Sequence, residues 1–138
     1  MKPPVRAELV WQHDLVFEAE SAGQRMVIDG NTREGVSPVQ ALTFALAGCM
    51  MADLVHILTK GRHPLESCRA TLVGERAQET PHRLTRVGLT FHLSGAVPRD
   101  AAERAIELSR EKYCSVWHSL REDIDFQTRL EITERTIP

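Results

Sequence analysis

The chain has 138 residues, of which 42% are hydrophobic and only 5% aromatic, and its formal charge is −2. That length suits one domain over 1–138 with a real core, and the near-neutral balance gives no electrostatic reason to expect a nucleic acid or an anionic membrane as partner. Met1-Lys2-Pro3-Pro4 lacks the apolar run of a signal peptide, so a cytoplasmic location is expected; there, three scattered cysteines (Cys49, Cys68 and Cys114) are packing residues or reactive thiols rather than a disulfide framework.

In chain order, Val5, Ala7, Leu9 and Trp11 alternate through 5–12, the pattern of a half-buried strand. His13-Asp14 reads as a turn, and Leu15, Phe17 and Ala19 resume the alternation, which predicts a hairpin. A turn at Ser21-Ala22-Gly23 leads to a third strand over 25–28, ended by Asp29-Gly30-Asn31. The loop 32–36 then feeds the stretch that dominates the chain. Ser37 is a good N-cap, Pro38 suits the first helical position, Gln40 completes a capping box, and Gly61 and Pro64 supply the stop. A helix over 38–60 follows, roughly 34 Å long at 1.5 Å per residue. Its apolar residues (Val39, Leu42, Phe44, Leu46, Met50, Met51, Leu54, Val55, Ile57, Leu58) lie almost all the way round, so cover on most sides is expected. The core run 41–52 is about a dozen residues, short of the ~20 that a membrane span needs. A buried core helix is expected, with no membrane partner.

Beyond Gly61, Cys68, Ala70, Leu72 and Gly74 alternate with polar neighbours in a fourth strand. After a polar loop over 76–83, Val87, Leu89, Phe91 and Leu93 mark a fifth, closed by Ser94-Gly95. Pro98 opens an amphipathic helix to about Tyr113, Cys114-Ser115 breaks it, Val116, Trp117 and Leu120 suggest a short further helix, and Phe126 to Ile132 form a last strand. The order β-β-β-α-β-β-α-α-β is that of an α+β protein. One small sheet and one amphipathic helix cannot cover a helix that is apolar all round. Each further Leu-sized side chain buried is worth about 1.5–3 kcal/mol, so a two-fold homodimer with the long helix near its interface is expected.

Cys49 lies inside the long helix beside Gly48, and Cys114 where one helix ends and another begins. Both are compatible with small buried hydrophobes. A helix N-terminus lowers a thiol pKa, which favours Cys114, whereas Asp53, one turn after Cys49, would raise that of Cys49 if ionised nearby. Cys68 reads as an inert inward strand residue. His56 is about 10.5 Å along the axis from Cys49, too far for direct proton transfer. His118 is placed to approach Cys114, but a single Cys-x-x-x-His pair falls short of the three or four ligands zinc takes, so no metal and no cofactor are expected. No phosphate loop, dinucleotide fingerprint or Gly-x-Ser-x-Gly elbow is present.

Two segments, S-P-V-Q-A-L-T-F-A-L-A-G-C-M and E-K-Y-C-S-V-W-H-S-L, resemble the two cysteine-bearing segments of the OsmC/Ohr family, and the order of elements resembles that family over nearly the whole chain. The resemblance implies an intertwined two-fold dimer in which curved antiparallel sheets wrap long central helices, with the sites at the subunit interface. It implies a thiol peroxidase acting in oxidative stress defence: Cys49 attacks an organic hydroperoxide, Cys114 resolves the sulfenic acid as a disulfide, and a dithiol partner reduces it. Two positions depart from the family pattern. The Glu expected after the helix-starting Pro is Val39 here, and the Arg expected at the first turn is missing, with His13 its nearest counterpart and Arg6, Arg25 and Arg33 the other candidates. The chain therefore resembles a divergent OsmC-like subgroup. The implied apolar pocket draws on His13, Val39, Phe44, Met50 and Met51. The alternative expectation is a non-enzymatic dimer that binds an apolar small molecule and whose cysteines are not catalytic.

Overall fold

The computed structural model describes residues 2–133. Its elements follow the expected order: β1 (Glu8–His13), β2 (Val16–Ser21), β3 (Gln24–Asp29), α1 (Pro38–Lys60), β4 (Leu65–Arg76), β5 (Leu84–Gly95), α2 (Arg99–Leu108), α3 (Ser115–His118) and β6 (Asp125–Thr133). The second helix is shorter than its pattern suggested. It gives way after Leu108 to a five-residue π-helical turn, Ser109–Tyr113. Contacts gather into two compact units that divide within α1, after Phe44.

The first unit carries an antiparallel sheet in the order β1-β2-β3. A register shift between Trp11 and His13 moves the turn one residue on, and Asp14 takes the left-handed conformation (φ 46°). Pairing of Leu9 with Ala19, Trp11 with Phe17 and Ala19 with Met26 puts these residues on one face, as strand alternation requires. After β3, the buried Asp29 carboxylate accepts from the N–H groups of Asn31 (2.8 Å), Arg33 (3.0 Å) and Glu34 (2.9 Å). Those donors, that of Glu34 foremost, hold its carboxyl below the usual range. Gly35 lies so close to the Val27 carbonyl that a Cβ would collide with backbone. The loop ends in the predicted capping box: the Ser37 N–H donates to Gln40 Oε1 (2.9 Å), and the Gln40 N–H to Ser37 Oγ (3.1 Å).

The second unit carries the sheet β4-β5-β6. β4 and β5 are antiparallel, but β6 runs parallel to β5, which corrects the expectation of wholly antiparallel sheets. The cause is the crossover through α2, the π turn and α3, which returns the chain to run in the direction of β5. On the inner face Val87, Leu89, Phe91 and Leu93 are buried, joined by Phe126, by Ala102, Ala105 and Ile106 of α2, and by Leu46, Met50, Leu54 and Leu58 of α1. The four α1 residues recur every fourth position and so form one line along the helix. In the single chain only that line is fully buried: Leu42, Phe44 and Val55 remain 36, 61 and 39% exposed. By length and composition α1 is apolar enough to cross a bilayer, more so than its dozen-residue central run suggested. Its buried stripe nonetheless packs into the core of this unit.

Candidate functional site

Within the second unit, α1 and the π turn bring two thiols together. Cys49 projects half-buried from α1, and Cys114 is fully buried where the π turn passes into α3. Both are free thiols. Cys114 caps α3, its Sγ accepting the Trp117 N–H at 3.3 Å. A helix N-terminus alone would lower its pKa. Burial wins instead, and with Cys49 acting as hydrogen-bond and charge partner it pushes the Cys114 thiol up to about 11 against the pull of the Trp117 and Val116 N–H groups. The expected activation of Cys114 is thereby reversed: near neutral pH it holds its proton and Cys49 is the more accessible sulfur. Cys68, half-buried on the inner sheet face, is likewise pushed up by burial.

The ring of His118, four residues after Cys114, has a backbone partner. Its Nε2 pairs with the Arg110 carbonyl at 3.0 Å. Among the described residues no group of three metal-ligating side chains is assembled. Asp53 binds the Ser109 hydroxyl, which donates to its Oδ2 at 2.7 Å. Ser109 is a residue that sequence reasoning passed over. Its signal was available in its inward spacing from Ala102 and Ala105, together with a carboxylate on an otherwise apolar helix that needs a partner. Met50 is fully buried in the core, while Met51 is half-buried.

The remaining pocket candidates belong to the first unit. Val39 is half-buried and Phe44 exposed. His13 stands between Asp14 Oδ2 (3.0 Å) and Glu34 Oε2 (3.1 Å), and those carboxylates, the bond to Asp14 first, raise its pKa above 6.5. Arg25 is paired with Glu18 at 3.2 Å. Grooves of about 480 and 520 Å³ lie elsewhere: one between α2 and β6, lined by Arg99, Arg110 and Arg129, the other on the outer face of the second sheet around Gly88.

Protein YhfA of Escherichia coli strain K12 is 37% identical over 131 residues, covering 93% of this chain and 98% of that protein. A hypothetical protein from Aquifex aeolicus VF5 shares the fold at a TM-score of 0.91 and 23% identity, over 98% of this chain and all of that one. An organic hydroperoxide resistance protein OsmC from Legionella pneumophila shares it at 0.69 and 17%, over 94 and 97%. Residues 30–129, both cysteine segments included, match the family described as OsmC-like protein, and the chain belongs to that family.

Proposed function

We propose that this chain is a thiol-dependent redox protein that reduces organic hydroperoxides through Cys49 and Cys114, as a cytoplasmic homodimer in oxidative stress defence. The observation that carries the reading is that a half-buried Cys49 on α1 lies against a fully buried Cys114. The Cys49 thiolate attacks the terminal peroxide oxygen and the O–O bond breaks, leaving a sulfenic acid and an alkoxide that takes a proton from water to depart as the alcohol. The Cys114 sulfur then displaces the hydroxyl, which departs as water with the Cys114 proton, and a dithiol reductant opens the resulting disulfide. A second copy is the cover proposed for the exposed Leu42, Phe44 and Val55. The second reading, a non-enzymatic dimer holding an apolar small molecule, draws support from Val39 in the place of the family's Glu and from His13 being held by two carboxylates.

Stopped-flow mixing of the reduced protein with tert-butyl hydroperoxide or a fatty-acid hydroperoxide, followed by mass analysis, tests the proposal. Fast formation of a Cys49–Cys114 disulfide is expected, with Cys49→Ser inert and Cys114→Ser arrested at the sulfenic acid. Slow oxidation at equimolar peroxide, with apolar ligand binding that survives both substitutions, would replace it by the second reading.

A further inference from the structure

The two sulfurs close a ring of contacts whose other half contains no sulfur. From Cys49, one turn of α1 leads to Asp53, and Asp53 Oδ2 accepts the Ser109 hydroxyl at 2.7 Å. Ser109 is fully buried and opens the π turn. Its carbonyl accepts the Cys114 N–H at 2.8 Å, the wide bond that defines that turn, and Cys114 then returns to Cys49. Ser109 therefore grips α1 with its side chain and the Cys114 backbone with its carbonyl. That turn closes α2, and Cys114 follows it in extended backbone, so the turn sets where the thiol is placed.

We infer that the Asp53–Ser109 hydrogen bond is a positioning device that holds Cys114 in register with Cys49 and thereby sets how readily the disulfide between them forms. The inference rests on the two-thiol reading above, but only for its readout. In the step concerned, the S–O bond of the Cys49 sulfenic acid breaks and an S–S bond forms. The Cys49 sulfur is reduced, the Cys114 sulfur is oxidised, and hydroxide leaves with the Cys114 proton as water. Holding the two thiols in register raises the effective concentration of each at the other, which favours the disulfide at equilibrium as well as speeding its formation. Neither Asp53 nor Ser109 touches peroxide in this scheme; each acts through Cys114.

The test reads the disulfide without peroxide. Parent protein, Ser109→Ala, Asp53→Ala, the double variant and Asp53→Asn are equilibrated in buffers of oxidised and reduced dithiothreitol, and the Cys49–Cys114 disulfide is counted by thiol labelling and mass analysis. Ser109→Ala should lower the disulfide-forming equilibrium about tenfold, equivalent to about 30 mV for this two-electron couple. Asp53→Ala should match it, and the double variant should lose no more than either, as expected for two residues sharing one interaction. Asp53→Asn keeps an oxygen to accept the hydroxyl and should stay near the parent. Should Ser109→Ala prove misfolded by circular dichroism, the contrast of Asp53→Ala with Asp53→Asn carries the test. A parent-like equilibrium in folded Ser109→Ala and Asp53→Ala overturns the inference, as does a parent that forms no disulfide in oxidised dithiothreitol. A parent that follows dithiothreitol normally but ignores hydroperoxide defeats only the peroxidase reading.

Discussion

The two sheets, one wholly antiparallel and one with a parallel third strand, are covered differently. Each has three strands, and each alternates apolar with polar residues. In the second unit the inner residues Val87, Leu89, Phe91 and Leu93 are at most 2% exposed. In the first, Leu9, Trp11 and Met26 share one apolar face and remain 54, 66 and 45% exposed. Alternation thus says which face of a strand is apolar, and nothing about what lies on it. The same holds along α1, where the line of Leu46, Met50, Leu54 and Leu58 is buried while Phe44 and Val55 are not. An exposed apolar face of this kind marks an interaction surface, and the second copy proposed above to cover Leu42, Phe44 and Val55 is the partner we propose for it too.

The largest effect should come from breaking the covered sheet. Phe91 is fully buried among the α1 and α2 residues of the core, so Phe91→Ala should destabilise by about 3–5 kcal/mol in urea unfolding. Trp11→Ala, on the bare sheet, should shift the dilute single chain by no more than about 0.5 kcal/mol. Any further loss should grow with protein concentration, because burial against a second copy follows mass action. A large loss in dilute Trp11→Ala would mean that the chain covers this face itself.

Local signals were read well in the sequence, and signals that depend on partners across the fold were not. The Ser37–Gln40 capping box formed as its spacing required, because both donors and both acceptors lie within four residues. The strands of the second sheet and their inward residues also followed from alternation. The parallel run of β6 did not, since its direction depends on how α2, the π turn and α3 cross the sheet rather than on any residue of β6. The π turn was hidden because its residues keep a helical polarity pattern, and only the inward Ser109 with its distant partner Asp53 betrays it. Both cysteines were picked out, but the direction of the Cys114 shift was misjudged. Helix position is visible in a sequence, and the burial that outweighed it is not.

That reversal gives the next prediction, again set by cover. Cys114 sits at about 11 in the fold against an ordinary value of 9.0. The folded state thus binds its proton more tightly than the unfolded chain. Stability from this group is full below pH 9 and is lost as pH rises toward 11, in total on the order of 2 kcal/mol. Urea midpoints at pH 8.5 and 10.5 should therefore fall more steeply for the parent than for Cys114→Ala. Equal slopes would mean that the thiol is not desolvated as its burial implies.

The smallest effect belongs to the exposed counterpart in the first unit, His13. Two carboxylates favour its charged form, so its contribution is full below about pH 6 and fades as pH rises through its raised pKa. The hydrogen bond to Asp14 is the larger influence and the charge of Glu34 the second. In a proton NMR titration, Asp14→Asn should therefore bring His13 nearer to 6.5 than Glu34→Gln does, with little change in unfolding for either because surface ion pairs contribute little. Glu34 reaches His13 from a loop whose backbone the Asp29 carboxylate holds at Asn31, Arg33 and Glu34. Asp29→Ala should consequently lower the His13 pKa as Glu34→Gln does, although Asp29 itself makes no bond to the ring. If Asp29→Ala leaves the titration untouched while Glu34→Gln moves it, the loop keeps Glu34 in place without that carboxylate, and the three N–H bonds only relieve a buried charge.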